Sequence, residues 1–149
     1  MRAVIQRVKY ASVEVDGKIC GRTDTGLLIF LGVGKGDTET DMKYIADKAL
    51  SLRIFEDENG KMNKSVADIG GGVLIVSQFT LYGDCRHGRR PSFDGAMPPK
   101  EAREMYERFA AYVRNSGLRT ETGIFGADMK VELLNDGPVT VILDSTKIL

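Results

Sequence analysis

Apolar residues follow two rhythms along this chain: runs that alternate or are uninterrupted, and stretches spaced three and four apart. The most continuous run is Val73-Leu74-Ile75-Val76, which follows Gly70, Gly71 and Gly72 and leads into Ser77-Gln78-Phe79-Thr80-Leu81-Tyr82. It predicts a central strand over 73–82, buried on both faces where it begins. Continued at period two, that strand places Gln78 and Thr80 on one face about 7 Å apart, with Ser77, Phe79 and Leu81 on the other. Polar side chains thus gather at a strand end, an arrangement equally expected of a strand that simply meets water there.

Other stretches predict the surrounding elements. Residues 2–10 form a first strand, and 12–15 with 18–21 form a hairpin across Asp16-Gly17, a strong turn signal. Residues 26–33 are a further buried strand, followed by the loop Gly34-Lys35-Gly36-Asp37. Met42, Ile45, Ala46 and Ala49 give a helix over 38–52 one apolar face, with Asp37 or Thr38 as N-cap. Residues 53–55 make a short strand before the polar turn 56–60. Pro98-Pro99 opens a second helix that buries Ala102, Met105, Tyr106, Phe109, Ala110 and Val113 and ends at Asn115-Ser116-Gly117. Residues 118–126 carry no clear signal. Met129, Val131 and Leu133 alternate in a strand, the chain turns at 135–138, and 139–143 form a closing strand with Pro138 at its head. These elements predict one α+β domain over 1–149, with a mainly antiparallel, barrel-like sheet and two outer helices.

Composition narrows the classes. The chain has 149 residues, 42% hydrophobic and 28% charged, enough for an ordinary core, and no apolar run approaches the roughly 20 residues needed to cross a bilayer. No signal-peptide pattern is visible near residue 1, so the expectation is a soluble, cytoplasmic protein. Two cysteines, Cys20 and Cys85, are too few for a disulfide framework or a zinc site. Lys and Arg balance Asp and Glu at 21 each, so any nucleic-acid contact needs a local patch, and Arg86-His87-Gly88-Arg89-Arg90 is the candidate.

Candidate chemistry is sparse. Lys35 is followed by Gly36 where a nucleotide-binding loop needs Ser or Thr, which excludes that motif. A nucleophile triad needs a base, and the single histidine, His87, lies in the basic loop. The acidic groups at 56–58 and at Asp136 and Asp144 lack His or Cys at ligand spacing, so neither a metal nor a cofactor is expected. The Gly137-Pro138 bond is either an ordinary trans turn or a cis link that presents two backbone carbonyls on one side.

Taken together, Ser77-Gln78-Phe79-Thr80-Leu81 and Asn135-Asp136-Gly137-Pro138-Val139-Thr140 resemble the two signature motifs of the D-aminoacyl-tRNA deacylases, as does Arg90-Pro91-Ser92-Phe93. The similarity spans essentially the whole chain. It implies a hydrolase that cleaves the ester of D-aminoacyl-tRNA, and of mischarged glycyl-tRNA, as chiral proofreading in translation. It also implies a homodimer in which a cis Gly137-Pro138 reaches into the partner's pocket, holds the substrate amino group and rejects L side chains. By the same resemblance Ser77, Gln78 and Thr80 are the catalytic candidates. Phe79, Phe125 and Met129 would flank the substrate, and Arg7 would brace Gly137 and Pro138. With so reactive an ester, a site that holds the carbonyl and admits water, or uses the RNA 2′-hydroxyl, needs less from side chains, and Thr80, the backbone N–H groups and that hydroxyl all stand as candidates for the chemistry. Two other classes remain: a non-catalytic tRNA or small-ligand binding module using the same pocket, and an esterase or amidase for free small molecules.

Overall fold

The computed structural model describes residues 1–149. Its elements are β1 (Arg2–Val15), β2 (Lys18–Thr23), β3 (Gly26–Gly32), α1 (Glu39–Ser51), β4 (Phe55–Glu56), β5 (Met62–Lys64), β6 (Gly72–Ser77), a 3-10 turn (Phe79–Tyr82), α2 (Pro99–Asn115), β7 (Thr120–Thr122) and β8 (Lys130–Asp144). The main sheet runs β2-β1-β3-β6-β7, and β8 pairs with the other edge of β1. β1 is antiparallel to β2, β3 and β8, whereas β3, β6 and β7 are mutually parallel. β7 returns towards β2, where the Arg22 amide donates to Glu121 Oε1 at 3.0 Å. That contact curls the sheet into a barrel-like form, as the α+β reading expects.

Period-two burial explains the uninterrupted apolar runs. Leu27, Ile29 and Leu31 of β3 and Val73 and Ile75 of β6 join the core under the helices, with Ile45, Phe109 and Val113. Leu28, Leu74 and Val76 point the other way, into a second cluster with Val8, Ala11 and Val13. Both faces are covered, so neither strand needs polar alternation. α1 starts at Thr38, whose amide donates to Asp41 Oδ2 at 2.8 Å, and buries the four residues its spacing predicts. α2 starts after Pro98 and buries Tyr106 and Phe109. No helix is long and apolar enough to cross a membrane.

Four expected boundaries change. The first strand does not stop at Tyr10 but continues to Val15 before the turn at Asp16 and Gly17, both at positive φ. The short strand expected at 53–55 forms instead as β4, paired with β5 in a small separate hairpin. The strand expected over 73–82 ends at Ser77, and the chain tightens into the 3-10 turn. Its cause is tertiary. β3 ends on Gly32, with Gly34 just beyond it, where a Cβ would lie 2.9 Å from the Gln78 carbonyl oxygen and 2.5 Å from the Tyr82 hydroxyl, respectively. Bare backbone there lets the turn fold back onto the strand.

The fourth change is at residues 135–138, where the chain bulges rather than turns. β8 pairs with β1 on both sides of this stretch, as Gln6 with Thr140 and Val8 with Asn135. Four residues, Asp136, Gly137, Pro138 and Val139, therefore oppose Arg7 alone, and the Gly137-Pro138 bond is cis. Asn135 Nδ2 pins both shoulders of the bulge, donating to the carbonyls of Arg7 and Val139 at 3.1 and 2.9 Å.

Candidate active site

Ser77 ends β6 beside Leu31, half-buried, and Gln78 leads from it into the 3-10 turn, its amide donating to the Leu31 carbonyl at 2.7 Å. Because the turn replaces a strand, Gln78 and Thr80 are not partners on one strand face. They meet differently: Gln78 Nε2 donates to Thr80 Oγ1. Phe79 and Thr80 open the turn, where the first N–H groups have no acceptor within the helix. Arg2, which sequence reasoning missed, braces this segment. Its Nη1 donates to the Leu81 carbonyl at 2.9 Å, its Nε to Asp144 Oδ2 at 2.9 Å, and its guanidinium lies 4.6 Å from the Tyr82 ring centre.

Beside the turn lies a cavity of about 370 Å³ whose walls are mainly apolar. Ser77, Gln78 and Phe79 form one rim, Phe93 and Ala96 another, and Phe125 closes it against Tyr106 of α2, ring centres 5.8 Å apart. Tyr106 is buried, and its hydroxyl donates to the Ile75 carbonyl at 2.8 Å. Burial pushes its pKa up to about 12. The apolar spacing of α2 already exposed this residue as core; that it forms a cavity wall could not be read from one helix.

The Tyr106 shift sets a measurable alkaline behaviour. The unfolded tyrosine loses its proton near pH 10, the folded one near 12, so this residue's stabilisation is intact below 10 and is lost as pH rises between these values. Urea unfolding of the wild type should therefore weaken by up to about 1.4 kcal/mol per pH unit more than that of Tyr106→Phe across this window. Parallel slopes for the two proteins would show that the hydroxyl is solvated in the native state.

The remaining site residues lie apart. Thr80 is exposed at the turn and is not among the cavity's lining residues, nor are Met129, Arg7, Gly137 and Pro138 of the same chain. Met129 packs against the second core cluster. Arg7 is buried under the β8 bulge: Nη1 donates to the Ile54 carbonyl at 2.6 Å, Nε to the Asp136 carbonyl at 3.1 Å, and Nε lies 3.4 Å from Asp136 Oδ2. Gly137 and Pro138 are exposed on top of it.

In the basic loop, Asp84 and Ser92 exchange backbone hydrogen bonds of 2.7 and 3.0 Å that close residues 85–91 into a protruding turn. Arg86 is engaged inside it, its Nε and Nη2 donating to the two Asp84 carboxylate oxygens at 2.9 and 2.6 Å, which holds that carboxyl down at about 2. Arg89, Arg90 and the lone His87 are exposed. No group of three or more His, Cys, Asp or Glu side chains is placed to hold a metal.

A polar strand end thus adjoins an apolar cavity, with the first N–H groups of the 3-10 turn next to it. The model of the family described as D-Tyr-tRNA(Tyr) deacylase matches residues 4–144, and the chain belongs to that family. Two relatives, each a D-aminoacyl-tRNA deacylase, are 61% identical: that of Thermosipho africanus (strain TCF52B) over 148 residues and that of Koribacter versatilis (strain Ellin345) over 147, with 99% of both chains covered in each case. Among solved structures, one named c-Myc DNA Unwinding Element Binding Protein superimposes with TM-score 0.91 at 41% identity, covering 97% of this chain and 98% of its own. A probable eukaryotic D-amino acid tRNA deacylase shares the fold at TM-score 0.80 and 18% identity, covering 95% and 97%.

Proposed function

We propose that this protein is a carboxylic ester hydrolase that removes D-amino acids, and mischarged glycine, from tRNA, a chiral proofreader working in the cytoplasm. The observation that supports it most is the cavity rimmed by Ser77, Gln78 and Phe79, in a chain that matches deacylases along nearly its full length. Water adds to the ester carbonyl, the amides of Phe79 and Thr80 hold the oxyanion, and on collapse the 3′ oxygen of the terminal adenosine leaves as a hydroxyl with a proton from that water, freeing the amino acid. Gln78 and Thr80 position the reacting groups, and Phe79 and Phe125 flank the aminoacyl-adenosine.

Two protomers pair so that Gly137 and Pro138 of each enter the other's cavity, with Met129 beside the substrate and Arg7 as the brace. What supports the pairing is placement: the bulge is exposed, anchored by a buried guanidinium, and lies outside its own cavity. A rigid backbone surface at the α-carbon excludes an L side chain by sterics. The binding-module reading draws on the 41%-identical neighbour, whose name is that of a DNA-binding protein.

Incubation with matched D-tyrosyl-tRNA and L-tyrosyl-tRNA, following the remaining ester, tests the activity directly. Loss of the D ester alone is expected. Loss of neither by folded protein would favour the binding module, and equal loss of both would indicate a general esterase. In the same assay Thr80→Ala should slow turnover by about tenfold, the order of one lost positioning hydrogen bond to a charged state. Complete loss of turnover with binding intact would make Thr80 the nucleophile.

A further inference from the structure

We propose that Phe79 and Phe93 form a stacking platform for the nucleotides preceding the aminoacylated adenosine, and that Arg89 and Arg90 hold the phosphates of that single strand. This rests on the deacylase reading and concerns the part of the substrate that the cavity leaves outside. A space of about 370 Å³ is at the small end of ligand pockets and suits one aminoacyl nucleotide at most. The RNA that carries it must therefore leave across the cavity mouth.

What stands at that mouth is aromatic and cationic. The Phe79 ring is 55% exposed and takes no part in either core cluster. It meets Phe93 edge to face, ring centres 5.0 Å apart and planes at 69°, so the pair is preset with a ring surface left open to solvent. The core would not miss these rings. Arg90 precedes Phe93 by three residues, a span of at most about 10 Å of extended chain, and the Asp84–Ser92 bridge holds its loop against the same region. Arg86 is neutralised by Asp84, whereas Arg89 and Arg90 enter no ion pair.

Stacked unpaired bases beside backbone-directed guanidinium groups are how proteins hold single strands without reading their sequence. A net charge of zero makes these two free arginines the local source of attraction. Another group of exposed apolar residues, Ile142, Ile148 and Leu149, lines a separate hollow with Leu81 and offers no such unpaired arginine, since Arg2 there is bound to Asp144.

The test compares D-tyrosyl-adenosine with the D-tyrosyl trinucleotide of the tRNA 3′ end. For the wild type, the trinucleotide should show a KM about tenfold lower, the order of one stacked base. Phe93→Leu and the double variant Arg89→Ala, Arg90→Ala should each bring the ratio of the two KM values close to one. Reading the ratio cancels any loss common to both substrates, and the arginine variant is confined to an exposed loop. No gain for the trinucleotide in the wild type, or a gain retained in both variants, overturns the platform. A ratio unchanged in Phe93→Leu while the protein shifts to monomers would overturn it too and assign the ring pair to the subunit contact. Failure of the wild type to cleave either ester would overturn the deacylase reading itself.

Discussion

Arg7→Met is expected to lower unfolding free energy by about 2–4 kcal/mol, because it strips donors from carbonyls that the fold has removed from water. The native guanidinium serves Ile54 and Asp136 at once, at 2.6 and 3.1 Å, and sits 3.4 Å from the Asp136 carboxylate. Methionine fills much of the same volume but donates nothing. Lys9, at 3.6 Å from the same carboxylate, remains to balance its charge, so the loss falls on the two carbonyls. Arg7→Lys should recover little, since one ammonium cannot reproduce a planar fork directed at two sites. Under conditions where Arg7→Met is still folded, deacylation should fall further than the folded fraction does, because the bulge proposed to enter the partner's cavity has lost its anchor. A stability change under about 0.5 kcal/mol would place Arg7 with ordinary surface substitutions and remove the bracing role.

Much of this arrangement was legible before the structure, and the exceptions are places where contacts distant in sequence override the local pattern. The buried run at 73–76, the Asp16-Gly17 hairpin and both helices follow from local pattern, because each element's burial matches its own period. The 3-10 turn was hidden because Phe79, Thr80, Leu81 and Tyr82 all suit a strand. What bends them is the space above Gly32 and Gly34 and the grip of Arg2, contacts separated by tens of residues. The bulge was hidden for the opposite reason: Asn135, Asp136, Gly137 and Pro138 carry strong turn signals, yet β1 runs straight past and holds β8 on both sides. The motif segment 77–80 does form one rim of the cavity, but its other walls come from Phe93, Ala96, Tyr106 and Phe125, which no spacing in the sequence associates. Parallel pairing of β7 with β6 likewise needs the α2 crossover to be seen in place.

Ala96→Phe is expected to reduce deacylation of D-tyrosyl-tRNA at least a hundredfold, about 2.7 kcal/mol at roughly 1.4 kcal/mol per factor of ten. Ala96 is half-buried on the cavity rim, held by its amide to the Phe93 carbonyl at 3.0 Å and bridged to Gly34. Its methyl group therefore borders open space rather than the packed interior. A benzyl group there takes up a large part of a cavity of about 370 Å³ without overfilling the core, so the thermal midpoint should stay close to that of the wild type. Ala96→Ser keeps the volume and should keep the activity. The same substitution probes the proposed subunit arrangement, in which a ring on the rim would compete with the partner's Gly137 and Pro138 as well as with substrate. Loss of activity together with a concentration-dependent shift to monomers would place both in one cavity. Loss of activity with the dimer intact would leave the substrate there but not the partner's bulge, and full activity would move the reaction away from this cavity altogether.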